Sequence, residues 1–136
     1  MSGTLRLEIV TPDATAYSEL VEWVILESAE GQLTILPHHT GLITKLVPGE
    51  LTVRKAGQDQ FLAVSEGLVA VTGDRISIVT DMAVRAEDID EAKAEEARQR
   101  AAARLREKVS SEEVATINAA LARSLAQLHV KRRRHV

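Results

Sequence analysis

The chain has no cysteine. That excludes disulfide staples and cysteine-based zinc sites, and it suits a reducing compartment. Aromatic residues are scarce: Tyr17, Trp23 and Phe61 are the whole complement. A stacking platform for single-stranded nucleic acid would need more. No apolar run approaches the roughly 20 residues that a bilayer-spanning helix requires. The start, Met1 to Leu5, lacks a charged segment followed by an apolar one, so no signal peptide is expected. The default expectation is a soluble cytoplasmic protein, free or bound to a larger body.

What is present is an ordinary globular composition, 45% hydrophobic over 136 residues. This fits one domain, or one small domain with an appendage. Charge is uneven. The formal net charge is −3, yet Lys131, Arg132, Arg133 and Arg134 sit together near the end, leaving the rest at −7. A broad positive field for nucleic acid is therefore not expected. The basic run reads either as a solvated terminus or as a contact for an acidic partner surface.

Two halves follow different periods. From Thr4 to about Arg85 the pattern alternates, as in Leu5, Leu7 and Ile9, Leu51 and Val53, or Ile76 and Ile78. A strand sends successive side chains to opposite faces, so one face of each is apolar. Trp23–Leu26 and Gly67–Val71 are apolar on both faces, which places them in the middle of a two-layer structure. Turn signals such as Pro12-Asp13, Glu30-Gly31, Pro48-Gly49, Ala56-Gly57 and Gly73-Asp74 recur at short intervals. Together these predict a β-sandwich or flattened barrel of eight to ten strands.

After Arg85 the sequence becomes rich in Ala, Glu, Arg and Lys, with neither Gly nor Pro from Ala86 to Val109. These are strong helix formers. Asp88 is a cap candidate, with Asp90 and Glu91 suited to the positive end of the helix dipole. Ala94, Ala97, Ala101 and Leu105 recur at helical spacing. Ser110 or Ser111 would cap a second helix, with Val114, Ile117, Leu121, Leu125 and Leu128 on one face. The expected architecture is β plus α: a sandwich over residues 1–86, then an antiparallel two-helix hairpin over 87–136. Alanine offers little apolar area, so the hairpin should be held weakly and be able to open.

Catalytic constellations are thin. His38 and His39 are neighbours, and in a strand neighbours point to opposite faces, so one metal cannot easily take both. They read as metal ligands, as bases, or as polar residues at a sheet edge where a partner docks. There is no G-x-S-x-G elbow and no G-x-x-x-x-G-K-[ST] or G-x-G-x-x-G cradle.

The stretch "SAEGQLTILPHHTGLITKLVPGEL" resembles the signature of the epsilon subunit of bacterial F-type ATP synthases, roughly S-x-E-G-x-L-G-I-L-P-x-H-x-P-L-x-T-x-L-x-P-G. Ser28, Glu30, Gly31, Leu33, Ile35, Leu36, Pro37, His39, Leu42, Thr44, Leu46, Pro48 and Gly49 fall in place. Departures are Thr34 for glycine, Gly41 for proline and Glu66 for the first of a glycine pair. The resemblance extends over nearly the whole chain. It implies a non-catalytic rotor subunit, without a metal or resident cofactor, at the cytoplasmic face of the bacterial plasma membrane. Gln32 would face the polar loops of the membrane c-ring, and His39 and Thr44 the gamma subunit. Arg123, Lys131, Arg132, Arg133 and Arg134 would reach the beta and alpha subunits of the catalytic head when the hairpin extends and blocks hydrolysis. Some members bind ATP on the folded hairpin through I/L-D-x-x-R-A. Here "IDEAKA" supplies Asp90 but has Lys93 for arginine, with Arg100 and Arg123 at accessory positions. The other class of function kept open is a stand-alone ligand-binding sandwich with a regulatory hairpin.

Overall fold

The computed structural model describes residues 3–134. The expected fold is found, with ten strands. They are β1 (Leu5–Val10), β2 (Thr15–Val21), β3 (Trp23–Ser28), β4 (Gly31–Ile35), β5 (Leu42–Leu46), β6 (Gly49–Lys55), β7 (Gln58–Val64), β8 (Gly67–Thr72), β9 (Arg75–Thr80) and β10 (Ala83–Arg85). A single 3-10 turn, Ala86–Asp88, leads to α1 (Glu91–Leu105) and α2 (Ser111–Arg134).

The strands form one sheet that folds over on itself, in the order β10-β7-β6-β3-β5-β8-β9-β1-β2, with β4 added on β3. β3 is where the path bends. Its first half, Trp23–Ile25, pairs with β6, while Ser28 at its end pairs with Leu46 of β5. The two ends of the path meet again: the Tyr17 hydroxyl on β2 donates to Gln60 on β7 at 2.6 Å, and Lys55 of β6 pairs with Glu19 of β2. The inward positions make one core, including Leu5, Leu7, Ile9, Val24, Leu26, Leu51, Val53, Leu62, Val69, Ile76 and Ile78. These are the alternating apolar positions of the sequence, so period two translates directly into burial.

Two glycines are required by geometry. Gly31 turns the β3–β4 hairpin at φ 112°, a region that disfavours side chains. At Gly67 a Cβ would lie 2.0 Å from the Val79 carbonyl oxygen, so only glycine lets β8 approach β9 there.

The helices cap themselves with side chains. Asp90, rather than Asp88, caps α1: its carboxylate accepts the Lys93 amide at 3.1 Å. The correction arises because the 3-10 turn intervenes and buries Ala86 and Ile89 against the sandwich. Ser110 caps α2, its hydroxyl accepting the Glu113 amide at 3.2 Å while Glu113 reaches back to the Ser110 hydroxyl and amide. This is a reciprocal capping box.

α2 lies on the sandwich, over β6 and β7, and α1 packs chiefly on α2. The docking cluster comprises Ala63, Ala86, Ile89, Ala126 and Val130, with Phe61, Met82 and Val84 at its edge. It explains why β7 is apolar on both faces: Leu62 and Val64 point into the sandwich, Phe61 and Ala63 toward the arm. Leu125, expected on the buried face of α2, is 49% exposed. Ala126 and Val130 meet the sandwich and Leu128 is buried, while Leu125 lies on the rim of an open cleft between α2 and β6.

Candidate functional site

The paired histidines occupy the turn between β4 and β5. His38 holds a left-handed conformation, φ 67°, uncommon for a residue with a side chain. It is pinned there: its amide donates to the Asp74 carboxylate at 3.0 Å, and its ring Nδ1 lies 3.7 Å from the same oxygen. The His39 amide donates to the Leu36 carbonyl at 3.2 Å, and its Nδ1 lies 2.6 Å from the Thr40 carbonyl oxygen, which places the proton on that nitrogen. The two rings have different partners. Among the described residues no group of three or more His, Cys, Asp or Glu side chains could hold a metal ion. His129 is exposed on α2, and His135 lies outside the described residues.

The turn leads directly into β5, and here one expectation is corrected. Thr44 faces inward and is only 8% exposed, because it shares a side of the strand with Leu42 and Leu46. The outward residues of β5 are Ile43, 79% exposed, and Lys45. Register carries this surface across the sheet. Lys45 lies beside Leu68, Leu68 beside Val79, and Val79 beside Val10. In the next row Ile43 lies beside Ala70. Leu68 and Val79 are 55% and 59% exposed. The prediction that Gly67–Val71 would be covered on both faces therefore fails on the outward side. Sequence reasoning missed this surface, although its signal was the same two-sided apolarity.

At the β3–β4 tip, Gln32 is exposed and its amide nitrogen reaches the Glu27 carboxylate at 3.3 Å. The Ser28 hydroxyl donates to the Gly31 carbonyl at 2.8 Å and accepts the Glu30 amide at 3.1 Å, which holds the tip in shape.

A cleft of about 510 Å³ lies between the helices and the β9–β10 turn. Lys93, Arg100 and Arg123 line it together with Asp81, Ser124 and Gln127. Arg100 is held by Glu96 at 3.0 Å. Asp90 is not part of the lining, since its carboxylate caps α1. The three cations expected on the hairpin are thus brought together, and the acid is not.

The basic run is folded back on the protein. The Lys131 ammonium donates to the Ala86 carbonyl at 3.2 Å. Arg132 lies 3.7 Å from Glu91 and 4.0 Å from Glu95, and Arg133 lies 3.7 Å from Glu50. Arg134 is the last residue of α2, and its side chain lies outside the described residues. The Glu95 carboxyl is held below the usual range chiefly by its hydrogen bond from Arg98. Arg85, at the end of β10, sits 5.0 Å from the Tyr17 ring centre and 3.7 Å from Glu19. Burial raises the Tyr17 phenol, with Arg85 opposing. The sandwich thus grips the chain firmly up to Arg85.

Comparison with known proteins agrees with this architecture. Residues 4–86 match the family described as ATP synthase, Delta/Epsilon chain, beta-sandwich domain, and residues 87–132 match its long alpha-helix domain. An ATP synthase epsilon chain of Herpetosiphon aurantiacus is 41% identical, covering 96% of each chain. One from Halorhodospira halophila is 39% identical over 93% of this chain and 91% of its own. Among solved structures, a chain of the Euglena gracilis mitochondrial ATP synthase OSCP/F1/c-ring assembly superposes with a TM-score of 0.72 at 24% identity, covering 88% of this chain and 76% of its own. A chain of the Tetrahymena thermophila mitochondrial ATP synthase central stalk/c-ring gives 0.63 at 15% identity, covering 97% of both. The last two speak for the fold, and the sequence matches for kinship. The chain belongs to the ATP synthase delta/epsilon chain family.

Proposed function

We propose that this chain is a non-catalytic central-stalk subunit of an F-type ATP synthase, with two working parts, residues 1–86 and 87–136. The sandwich would join a gamma-like shaft to the polar loops of the membrane ring and help turn ring rotation into ATP synthesis. The hairpin would restrain hydrolysis by extending toward the catalytic head. The protein would sit peripherally at the cytoplasmic face of the bacterial plasma membrane. Among the described residues no helix is long and apolar enough to cross a membrane.

The observation that carries the reading is the uncovered apolar surface of Ile43, Leu68 and Val79. Contiguous exposed hydrocarbon marks a place where another protein sits. It continues into the pinned His38–His39 turn, so His39 would border the shaft while Ile43 supplies the contact first expected from Thr44. Gln32, on the separate β3–β4 tip, suits the ring loops.

Ile43→Glu together with Leu68→Glu should abolish co-purification with the shaft subunit while leaving the sandwich folded. Retained association would refute the assignment of this face, and a chain that purifies alone even when unmutated would favour an independent ligand-binding sandwich. Deleting residues after Arg85 should raise hydrolysis by the assembled enzyme without uncoupling it; unchanged hydrolysis would remove the inhibitory role alone.

A second reading, nucleotide binding on the folded hairpin, is favoured by the convergence of Lys93, Arg100 and Arg123 on one cleft. Three cations suit a polyphosphate. Against it, Asp90 is engaged in capping and lysine lacks the planar fork of arginine. Titrating the full chain with ATP while following helix content decides it. No change at millimolar nucleotide would dismiss sensing by this chain.

A further inference from the structure

We propose that the last turns of α2 form a three-point charge latch that holds the arm closed, so that the basic run is masked until the arm opens. The inference rests on the proposed opening of the hairpin and specifies what resists it.

Consecutive helical residues point about 100° apart. Lys131, Arg132 and Arg133 therefore aim at three different bodies. Lys131 donates to the Ala86 carbonyl in the 3-10 turn, where the chain leaves the sandwich. Arg132 crosses to Glu91 and Glu95 in the first turns of α1. Arg133 reaches Glu50 at the start of β6, on the sandwich itself. One stretch of helix thus ties the linking turn, the sister helix and the sandwich together.

The contacts matter because the apolar seam is slight. Its members on the arm and the linking turn are Ala86, Ile89, Ala126 and Val130, and alanine contributes little hydrocarbon. Exposed ion pairs are each worth only about 0–1 kcal/mol. Glu50 differs, since its side chain is 13% exposed against 53% for Arg133. In that drier setting a charge pair is less screened than at the surface. Lifting the arm off the sandwich breaks the Lys131 and Arg133 contacts together, parting the two helices breaks the third, and the released cations are then presented to any carboxylate-rich surface. The same groups cannot serve both states together, so a partner that takes them competes directly with closure.

The absence of cysteine makes the test clean. Ala126→Cys places a lone thiol in the seam, where a neutral maleimide reaches it only when the arm lifts. In the isolated full chain carrying that thiol, Glu50→Gln should speed labelling about fivefold, the equivalent of roughly 1 kcal/mol. Glu91→Gln should speed it less. Exchanging the partners, Glu50→Arg with Arg133→Glu, should restore the slow rate, and high salt should accelerate the parent more than Glu50→Gln. Thermal melts check that the sandwich remains folded in each. Equal labelling rates in the parent, both glutamine variants and the exchange would overturn the latch. Because the chain is isolated, a latch that fails leaves the regulatory reading intact. Faster labelling with unaltered hydrolysis in the assembled enzyme would instead sink the regulatory reading and keep the latch.

Discussion

The sandwich and the hairpin solve the problem of cohesion with different materials. The sandwich is filled by Leu, Ile and Val at alternating positions, many with no exposed surface. The hairpin buries Ala94, Ala101 and Ala126 with Leu128 and Val130, and relies also on caps and ion pairs, such as Arg104 with Glu113 at 2.7 Å across the helix ends. Hydrocarbon burial does not titrate and is not screened by salt, whereas ion pairs and carboxylate caps respond to both. One half is therefore suited to bear load and the other to change position.

The largest expected contrast comes from truncating the sandwich core. Leu51→Ala, at a position with 0% exposure, should cost about 2–5 kcal/mol in denaturant unfolding. Ala101→Gly in the hairpin should cost about 1 kcal/mol. Equal costs would erase the distinction between the two halves. Next in size, Gly67→Ala should destabilise the sandwich by about 1–3 kcal/mol, since β8 and β9 must part to admit a methyl group at the Val79 carbonyl. A neutral result would mean that the sheet is more pliant than its packing indicates.

Asp90→Ala should remove the cap of α1 and lower hairpin helicity, at a cost of about 1 kcal/mol, while the melting of the sandwich stays unchanged. The smallest effect is acid sensitivity. The Glu113 carboxyl is held below its ordinary range, first by the backbone hydrogen bond from Ser110 and then by the Ser110 hydroxyl. A depressed folded value stabilises the helix above the normal glutamate pKa and loses that contribution as pH falls through the folded value. Helicity of the hairpin should therefore decline below about pH 4, ahead of any loss of sheet signal. Glu113→Gln should flatten this decline; a decline unaltered by that change would assign it to other carboxylates.

Much of this division was legible in the sequence, because period two and helix-forming composition report directly on which side chains meet a common core. A sandwich of eight to ten strands and the hairpin follow from that alone. Thr44 was set on the partner face by the family resemblance, while its parity with Leu42 and Leu46 already placed it inside. Asp88 lost the cap to Asp90 because a 3-10 turn, invisible to helix propensity, takes up the intervening residues. The tie between Arg133 and Glu50 could not be read at all, since it depends on how α2 lies across β6. Lys93, Arg100 and Arg123 were named in the sequence together with Asp90, from family resemblance; that the three cations line one cleft without Asp90 required the packed helices.

The register of β1 has a consequence for synthesis. β1 is paired on one side with β2 and on the other, in parallel, with β9. β1 leaves the ribosome well before β9 and must therefore wait for it before its second edge is satisfied. Such distant pairing is slow to form and leaves an adhesive edge open meanwhile. The nascent chain should need shielding until β9 emerges, and pulse-labelled amides of Arg6 and Glu8, on the side of β1 from which the Arg6 amide donates to Asp74, should gain protection only in the final folding phase. The helical arm, made afterwards, would arrive at a platform already finished.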